Sequence, residues 1–451
     1  MKENKMGTMP INKLLITMSL PMMISMLIQS LYNIVDSMFV AQINEQAITA
    51  VSLAFPLQNL MIAVSTGTGV GINALLSRSL GEKNREKASK TAENGILLGL
   101  VSSLVFVIFG FLGSRFFFEM QNCEQLVSEY GTQYLSICLI FSFGIFMQIT
   151  FERLLQATGR TLHTMVTQSS GAIINMILDP ILIFGLFGFP AMGVQGAAIA
   201  TISGQIFAAC LALIFNLKFN HDIDLSIRNI TPDLSIIREI YAIGIPSIIM
   251  ASIGSVMTFG MNQILLLFNQ TAAAFFGIYI KLQSFVFMPI FGMNNGLVPI
   301  ISYNYGAKQK SRILKTIKLG IFYATGIMLI GFALFQLIPD KLLMIFNASE
   351  TMLSMGTVGL RIISLHFLFA GTCIVIGTTF QALGHGMYSL IVSIARQLAV
   401  LLPVAYLMAL SGNLDLVWLA YPIAEVASLT ISLYFFRKIY KKQIVPLESK
   451  A

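Results

Sequence analysis

Charge is what this chain of 451 residues has least of: 11% of its residues are Asp, Glu, Lys or Arg, against roughly 25% in soluble domains. Such a chain cannot cover a water-facing surface, which excludes an ordinary soluble domain. Cysteine is nearly as sparse. Cys123, Cys138, Cys210 and Cys373 stand singly, which excludes a disulfide framework and offers no metal-ligand spacing. The four histidines are scattered as well; His163 and His385 read as solvated structural residues near helix ends. No Gly-x-x-x-x-Gly-Lys-Ser/Thr loop follows a strand pattern, so ATP hydrolysis and nucleotide binding are not expected. No Gly-x-Ser-x-Gly elbow, paired His-Asp cluster or metal motif is present, so the chain does not read as an enzyme and calls for no cofactor. The first apolar run lacks a small-residue cleavage site and reads as a retained span.

What the chain has instead is apolar length. Hydrophobic residues make up 56% of it, and stretches long enough to cross a bilayer, about 20 residues each, recur from end to end. Twelve are expected, over 11–40, 46–76, 93–118, 127–156, 161–187, 193–218, 237–268, 272–302, 313–338, 350–381, 387–411 and 416–437. Long unbroken runs predict helices, not a barrel. The formal charge of +8 does not indicate a nucleic-acid partner, because the basic residues alternate between loops. Of the 28 Lys and Arg, 23 fall on predicted inner segments, Lys2 and Arg228 among them. Arg115, Lys341 and a snorkelling Arg361 mark the outer side. The positive-inside rule then places a multi-pass protein in the plasma membrane with both termini cytoplasmic.

Shifted by 225 residues, half its length, the chain matches itself without gaps. Pro21 meets Pro246, Gln58 meets Gln283, and Ser77, Gly81 and Lys83 meet Ser302, Gly306 and Lys308. Gln156-Ala157 and Gly159 meet Gln381-Ala382 and Gly384, and 6 of the 11 glycines between 21 and 160 land on glycine. The duplication predicts an N-terminal lobe over 1–218, a cytoplasmic linker over 219–236 and a C-terminal lobe over 237–451. With six spans per copy, the repeats run parallel about an axis along the membrane normal, a transporter architecture. Gly81 and Gly306, each closing a long apolar run, read as helix-ending glycines.

The copies differ in their buried charges. Asp36 and Asp179, with Asn175 one turn before Asp179, lie about 6 and 13 Å below the outer surface at 1.5 Å per residue. Their counterparts are Met261, Val404 and Val400, so packing of the repeated unit does not demand acids there. Intramembrane acids are functional by default. A buried carboxylate pair can hold one proton between its members, or a monovalent cation such as Na+ when ionised. Asp36, Asn175 and Asp179 are therefore the candidate cation-coupling residues, with Tyr32 and Asn33 completing the network. Pro21 and Pro180 would let their helices bend. Glu152, with Met147 and Phe151 on its helix, and Lys281, Arg396 and Glu425 in the second half are candidate substrate contacts. Arg396 and Glu425 also fit a structural ion pair. Abundant Met and Phe, 25 and 34, fit a deformable apolar cavity, and acids inside it would favour amphiphilic cations.

Ser19-Leu-Pro-Met-Met, the run ending in Asp36, Ser77-Arg-Ser-Leu-Gly-Glu-Lys, Gln156-Ala-Thr-Gly and, above all, Asn175-Met-Ile-Leu-Asp-Pro-Ile-Leu-Ile-Phe-Gly185 resemble the multidrug and toxic compound extrusion (MATE) family, and within it the MepA-like branch. The resemblance covers essentially the whole chain. It implies an all-α integral membrane protein of twelve transmembrane helices in two parallel six-helix repeats, enclosing a V-shaped cavity. It further implies a monomeric antiporter exporting drugs and toxins, mostly organic cations, in exchange for H+ or Na+ by alternating access. In the family, residues matching Asp36, Asp179 and Asn175 form the coupling network. Some branches add coupling carboxylates in the C-terminal lobe, whereas here Glu425 is the only acid well inside a second-half span, which favours protons. A lipid-linked oligosaccharide flippase would want a cationic cavity, which Lys281 and Arg396 could supply, and usually fourteen spans. A channel would repeat its pore-lining polar groups.

Overall fold

The structure, a computed structural model, describes residues 4–121, 123–225 and 231–450; Lys2, Arg228 and part of the 219–236 linker lie outside them. Among the described residues there is helix and no strand. Eleven helices are long and apolar enough to cross a membrane, and a bent pair makes a twelfth. They are α1 (Ile11–Ala41), α2 (Glu45–Gly81), α3 (Arg85–Leu112), α4 (Gln125–Ile140 and Phe143–Ala157), α5 (Thr161–Phe184) and α6 (Gly193–Phe219). The second copy supplies α7 (Leu234–Leu266), α8 (Gln270–Gly306), α9 (Lys310–Leu337), α10 (Glu350–Ala382), α11 (Gly386–Ala409) and α12 (Leu414–Leu447). The helices outrun several expected spans at charged ends. Helix α3 begins at Arg85, not near 93, because the Asn84 side chain accepts from Lys87 N at 2.9 Å and caps a polar first turn.

The duplication extends to local geometry. Asn44 caps α2 and Asn269 caps α8, each accepting from the amide three residues on at 2.7 Å. Ser77 donates to Ala157 O at 2.9 Å, and Ser302 donates to Ala382 O at 2.8 Å. Helix α4 bends by 44° after Ile140, and α10 is interrupted at the equivalent place by a 3-10 turn, Ser364–His366. The helix ends at Gly81 and Gly306 differ from expectation in one respect. The left-handed residue is Lys83 in one copy and Lys308 in the other, both at φ 58°. That conformation costs a non-glycine residue about 1–2 kcal/mol, offset by closing bonds from Lys83 N to Leu80 O (3.0 Å) and Asn84 N to Ser79 O (2.9 Å).

By internal contacts the chain forms two units, Ile24–Ile248 and Met1–Met23 with Ile249–Ala451. The divisions fall inside α1 and α7, so each of these helices begins in one unit and ends in the other. The repeated glycines provide for this. In the first unit a Cβ on Gly67 would lie 2.7 Å from Ile248 N, and one on Gly71 would lie 2.2 Å from Ile240 O. In the second, a Cβ on Gly292 would meet Met22 O at 2.7 Å, and one on Gly296 would meet Ser19 Oγ at 2.6 Å. Only glycine admits so close a helix approach. Side chains at the two equivalent starts of α3 and α9 secure the incoming segments. Lys87 Nζ pairs with Glu239 at 2.9 Å, and Arg312 donates to Met6 O and Met9 O, each at 2.9 Å.

Candidate functional site

In the first unit, α1 and α5 present polar side chains to each other at two levels. At the upper level the carboxyl groups of Asp36 and Asp179 lie within hydrogen-bonding reach of one another. Asp179 is fully buried and Asp36 partly so. Both oxygens of Asp179 and Oδ1 of Asp36 accept no hydrogen bond from the described residues. Two carboxylates so placed repel each other, and a single proton between them would turn the repulsion into a hydrogen bond. Asn175 stands one turn below Asp179 and donates from Nδ2 to Thr201 Oγ1 at 3.1 Å, while Thr201 donates to Ala197 O at 3.0 Å. Tyr32 lies near the same Thr201 side chain. Below them, Gln58 Nε2 contacts Tyr134 OH at 3.3 Å and Cys138 Sγ at 3.4 Å.

The structure thus gathers Asp36, Asp179, Asn175 and Tyr32 in one polar cluster. Asn33 is exposed on the neighbouring flank of α1, where its carbonyl accepts from Ser37 at 2.8 Å. Thr201, Tyr134 and Gln58 join the pocket without having been read from sequence. A hydroxyl or amide in a long apolar run carries no helix-phase signal of its own, although the match of Gln58 to Gln283 marked that residue.

At the lower level, eleven residues earlier on both helices, Ser25 hydrogen-bonds to Gln168. Gln168 Nε2 donates to Glu152 Oε2 at 2.7 Å, while Gln148 and Thr167 donate to its Oε1, each at 3.1 Å. Glu152 is 1% exposed and is held by neutral donors from α4 and α5. Met147 and Phe151 sit in the hydrophobic core of this unit. Met147 packs over Gly99, whose Cβ would lie 2.6 Å from its terminal methyl.

In the second unit, Arg396 and Glu425 are brought together at 3.6 Å. They line a cavity of about 270 Å³ with Met257, Gln283, Phe287, Phe291 and Tyr421 among its walls. Lys281 is not part of it; it is exposed, with its ammonium 6.0 Å from the Phe346 ring centroid. The polar cluster of the first unit and this cavity occupy equivalent places in the repeat. The first is made by α1, α2, α4, α5 and α6, and the second by α7, α8, α10, α11 and α12. Among the described residues no cluster of three or more His, Cys, Asp or Glu could hold a metal ion.

Two like units of apolar helices, each folded around a polar pocket, define the class of multi-pass helical membrane transporters built by duplication. The MatE family model matches residues 21–181 and 246–407, one match per copy. The chain belongs to the MatE family, a family of transporters and not of enzymes. It is similar to the multidrug export protein MepA of Staphylococcus haemolyticus, 27% identical over 408 residues that cover 90% of this chain and 89% of that one. It is likewise similar to MepA of Staphylococcus aureus, 28% identical over 420 residues, 91% of this chain and 90% of the relative. The fold is also that of an outward-facing multidrug resistance MATE family transporter of the MOP superfamily, at a TM-score of 0.93 and 23% identity over 100% of this chain and 99% of that one. A MATE crystal structure in the straight conformation gives a TM-score of 0.92 at 23% identity, covering all of both chains.

Proposed function

We propose that this protein is a secondary active multidrug exporter of the plasma membrane, driving amphiphilic, mostly cationic compounds outward in exchange for protons. The observation that carries the reading is the Asp36–Asp179 pair: two carboxyl groups within reach of each other, one fully and one partly buried, where the second copy's sequence has Met261 and Val404. The export class is supported by the MepA relatives, whose names describe multidrug export.

The pair works as a two-state element between α1 and α5. With one proton, the carboxyl groups are joined by an O–H···O bond and the helices are drawn together. Without it, two like charges push the helices apart and attract a cationic substrate. Pro180 directly follows Asp179 inside α5. It lacks an N–H, so the Met176 carbonyl loses its helical partner and the helix yields where the charge changes. Basic residues on one set of loops support cytoplasmic termini, and the chain acts as a monomer.

The test is reconstitution in vesicles with an imposed pH or sodium gradient, following an ethidium-like dye. Dye movement driven by the pH gradient is expected. Movement under the sodium gradient alone would make Na+ the coupling ion, with Asp36, Asn175 and Asp179 its ligands, and no response to either would remove the antiport reading. Asp36→Asn and Asp179→Asn are each expected to reduce exchange to background while the protein still folds and inserts.

A further inference from the structure

The two copies treat their basic residues differently at equivalent helix ends. In the first unit, the start of α3 and the turn before it hold Arg78, Lys83, Arg85, Lys87 and Lys90 together with Glu82, Glu86 and Glu93. Acids take up most of these charges. Arg78 pairs with Glu82 at 2.9 Å, Arg85 with Asp224 at 2.7 Å, Lys87 with Glu239 at 2.9 Å and Lys90 with Glu86 at 2.9 Å. At the 225-residue offset the bases recur as Lys308, Lys310, Arg312 and Lys315, whereas Glu82, Glu86 and Glu93 become Ala307, Ser311 and Lys318. The end of α12 adds Arg437, Lys438, Lys441 and Lys442, where the first copy has Ala212, Leu213, Asn216 and Leu217. Nine bases thus stand on 301–320 and 426–447, which contain no acid; Glu448 follows.

Arg312 is spent on the carbonyls of Met6 and Met9. Lys308, Lys315, Lys318, Arg437, Lys438, Lys441 and Lys442 are exposed, and none of these seven forms an ion pair among the described residues. The two sets border one surface. Lys310 Nζ lies 5.9 Å from the Tyr440 ring centroid, and the last turn of chain, Val445–Lys450, packs on α9. Lys438 stands 5.6 Å from the centroid of the Tyr388 ring. Toward the middle of the helices this surface turns apolar within one turn. Phe322 follows Lys318 by four residues, and Leu433 and Tyr434 precede Arg437 by four and three, all three exposed. Tyrosine at such a boundary suits the headgroup level of a bilayer.

We infer that this surface of the second unit is a binding site for anionic phospholipids, the bases of α9 and α12 holding the headgroup phosphate while Phe322, Leu433 and Tyr434 flank the acyl chains. Orientation in the membrane does not call for such a surface. Asp and Glu contribute little to the positive-inside rule, so acids like those of the first unit would have left the topology signal intact. What their absence changes is the net charge. Seven exposed cations on one surface repel each other unless anions lie among them, and each Lys or Arg near an anionic leaflet strengthens association about fivefold. A soluble polyanion would cover the bases but leave the apolar flank bare; a phospholipid covers both. The first unit, with its bases already paired, offers no equivalent site. Lipid binding needs neither a gradient nor a drug, so it is independent of the export reading.

The experiment is native mass spectrometry of the full-length protein, titrated in detergent with dioleoylphosphatidylglycerol or dioleoylphosphatidylcholine. The anionic lipid is expected to bind about tenfold more tightly than its zwitterionic relative with the same chains. Lys441→Gln with Lys442→Gln removes two bases and should weaken phosphatidylglycerol binding about tenfold or more. Ala307→Glu with Ser311→Glu restores the acids of the first copy, keeps every base and should weaken it similarly, the new Glu at 311 facing Lys315 as Glu86 faces Lys90. Arg85→Gln with Lys90→Gln takes two charges from the first unit and should leave binding within twofold. Equal affinity for the two lipids in the wild type would overturn the inference, as would binding within twofold of wild type in both second-unit variants. An equal loss in the first-unit variant would also overturn it, since the preference would then follow net charge and not place. Displacement of the lipid by excess inorganic phosphate would overturn the lipid assignment. Should one second-unit variant fold poorly, the other decides, because one removes bases and the other adds acids. Selective lipid binding without gradient-driven dye export removes only the exporter reading, and export without selective binding removes only this site.

Discussion

Asp36 and Asp179 stand among neutral polar groups that bond to one another, and those groups are where single substitutions should separate folding from export. Thr201 accepts from Asn175 Nδ2 at 3.1 Å. Thr201→Val conserves shape but leaves that donor buried and unpaired, at a cost of about 1–3 kcal/mol. A lower thermal midpoint in detergent, and proton-driven dye export reduced more than the midpoint alone predicts, are the expected outcomes. Glu152 shows the opposite arrangement, an acid with three donors aimed at it. Glu152→Gln turns an amide N–H₂ toward groups that themselves donate, and should destabilise by about 1–3 kcal/mol. Thermal unfolding reads the loss, and an unchanged midpoint would mean that these donors are not spent on the carboxylate. Asp36 and Asp179 were legible because charge is conspicuous in an apolar run and because the second copy has Met261 and Val404 at the equivalent positions. Asn33 was drawn in by its spacing from Asp36, yet it projects from a different flank of α1. Adjacent positions on a helix diverge by about 100°, and spacing alone does not say which side faces the pocket.

At the level of helices, the starts of α1 and α7 are held by small residues. A methyl at Gly71 would meet the Ile240 carbonyl at 2.2 Å, and one at Gly296 would meet Ser19 Oγ at 2.6 Å. Gly71→Ala should therefore lower stability by about 1–3 kcal/mol through overpacking against backbone, with Gly296→Ala milder because a hydroxyl can rotate away. Gly277, with nothing within 4 Å of its added Cβ, is the control: Ala there should stabilise its helix by about 0.5–1 kcal/mol. Midpoints measured side by side check the ranking. The repeat pointed to Gly67 and Gly71 as structural, since they recur at Gly292 and Gly296. It could not say against what they pack, because the partners, Ile248 and Ile240 for the first pair and Met22 and Ser19 for the second, lie far along the chain from each.

For the whole molecule, the distribution of Lys and Arg carries the topology. A fluorescent protein fused after residue 451 should fold and fluoresce on the cytoplasmic side, and alkaline phosphatase fused there should be inactive. The reverse pattern would invert the orientation of every span. The two pockets also make a statement at this scale. Each unit sets five helices around a polar centre, with two acids in one and an acid beside a base in the other.

Apolar length and a gap-free repeat were enough to determine up to twelve helices in two copies, because bilayer thickness and backbone hydrogen bonding leave a chain of this composition few alternatives. Pairing was decided only by the tertiary structure. It joins Asp36 to Asp179 across 143 residues and Ser25 to Gln168 below them, and it separates Lys281 from the Arg396–Glu425 cavity it had been grouped with. The physical reason is that hydropathy reports whether a residue leaves water, whereas the direction a side chain takes on a buried helix depends on neighbours distant in sequence.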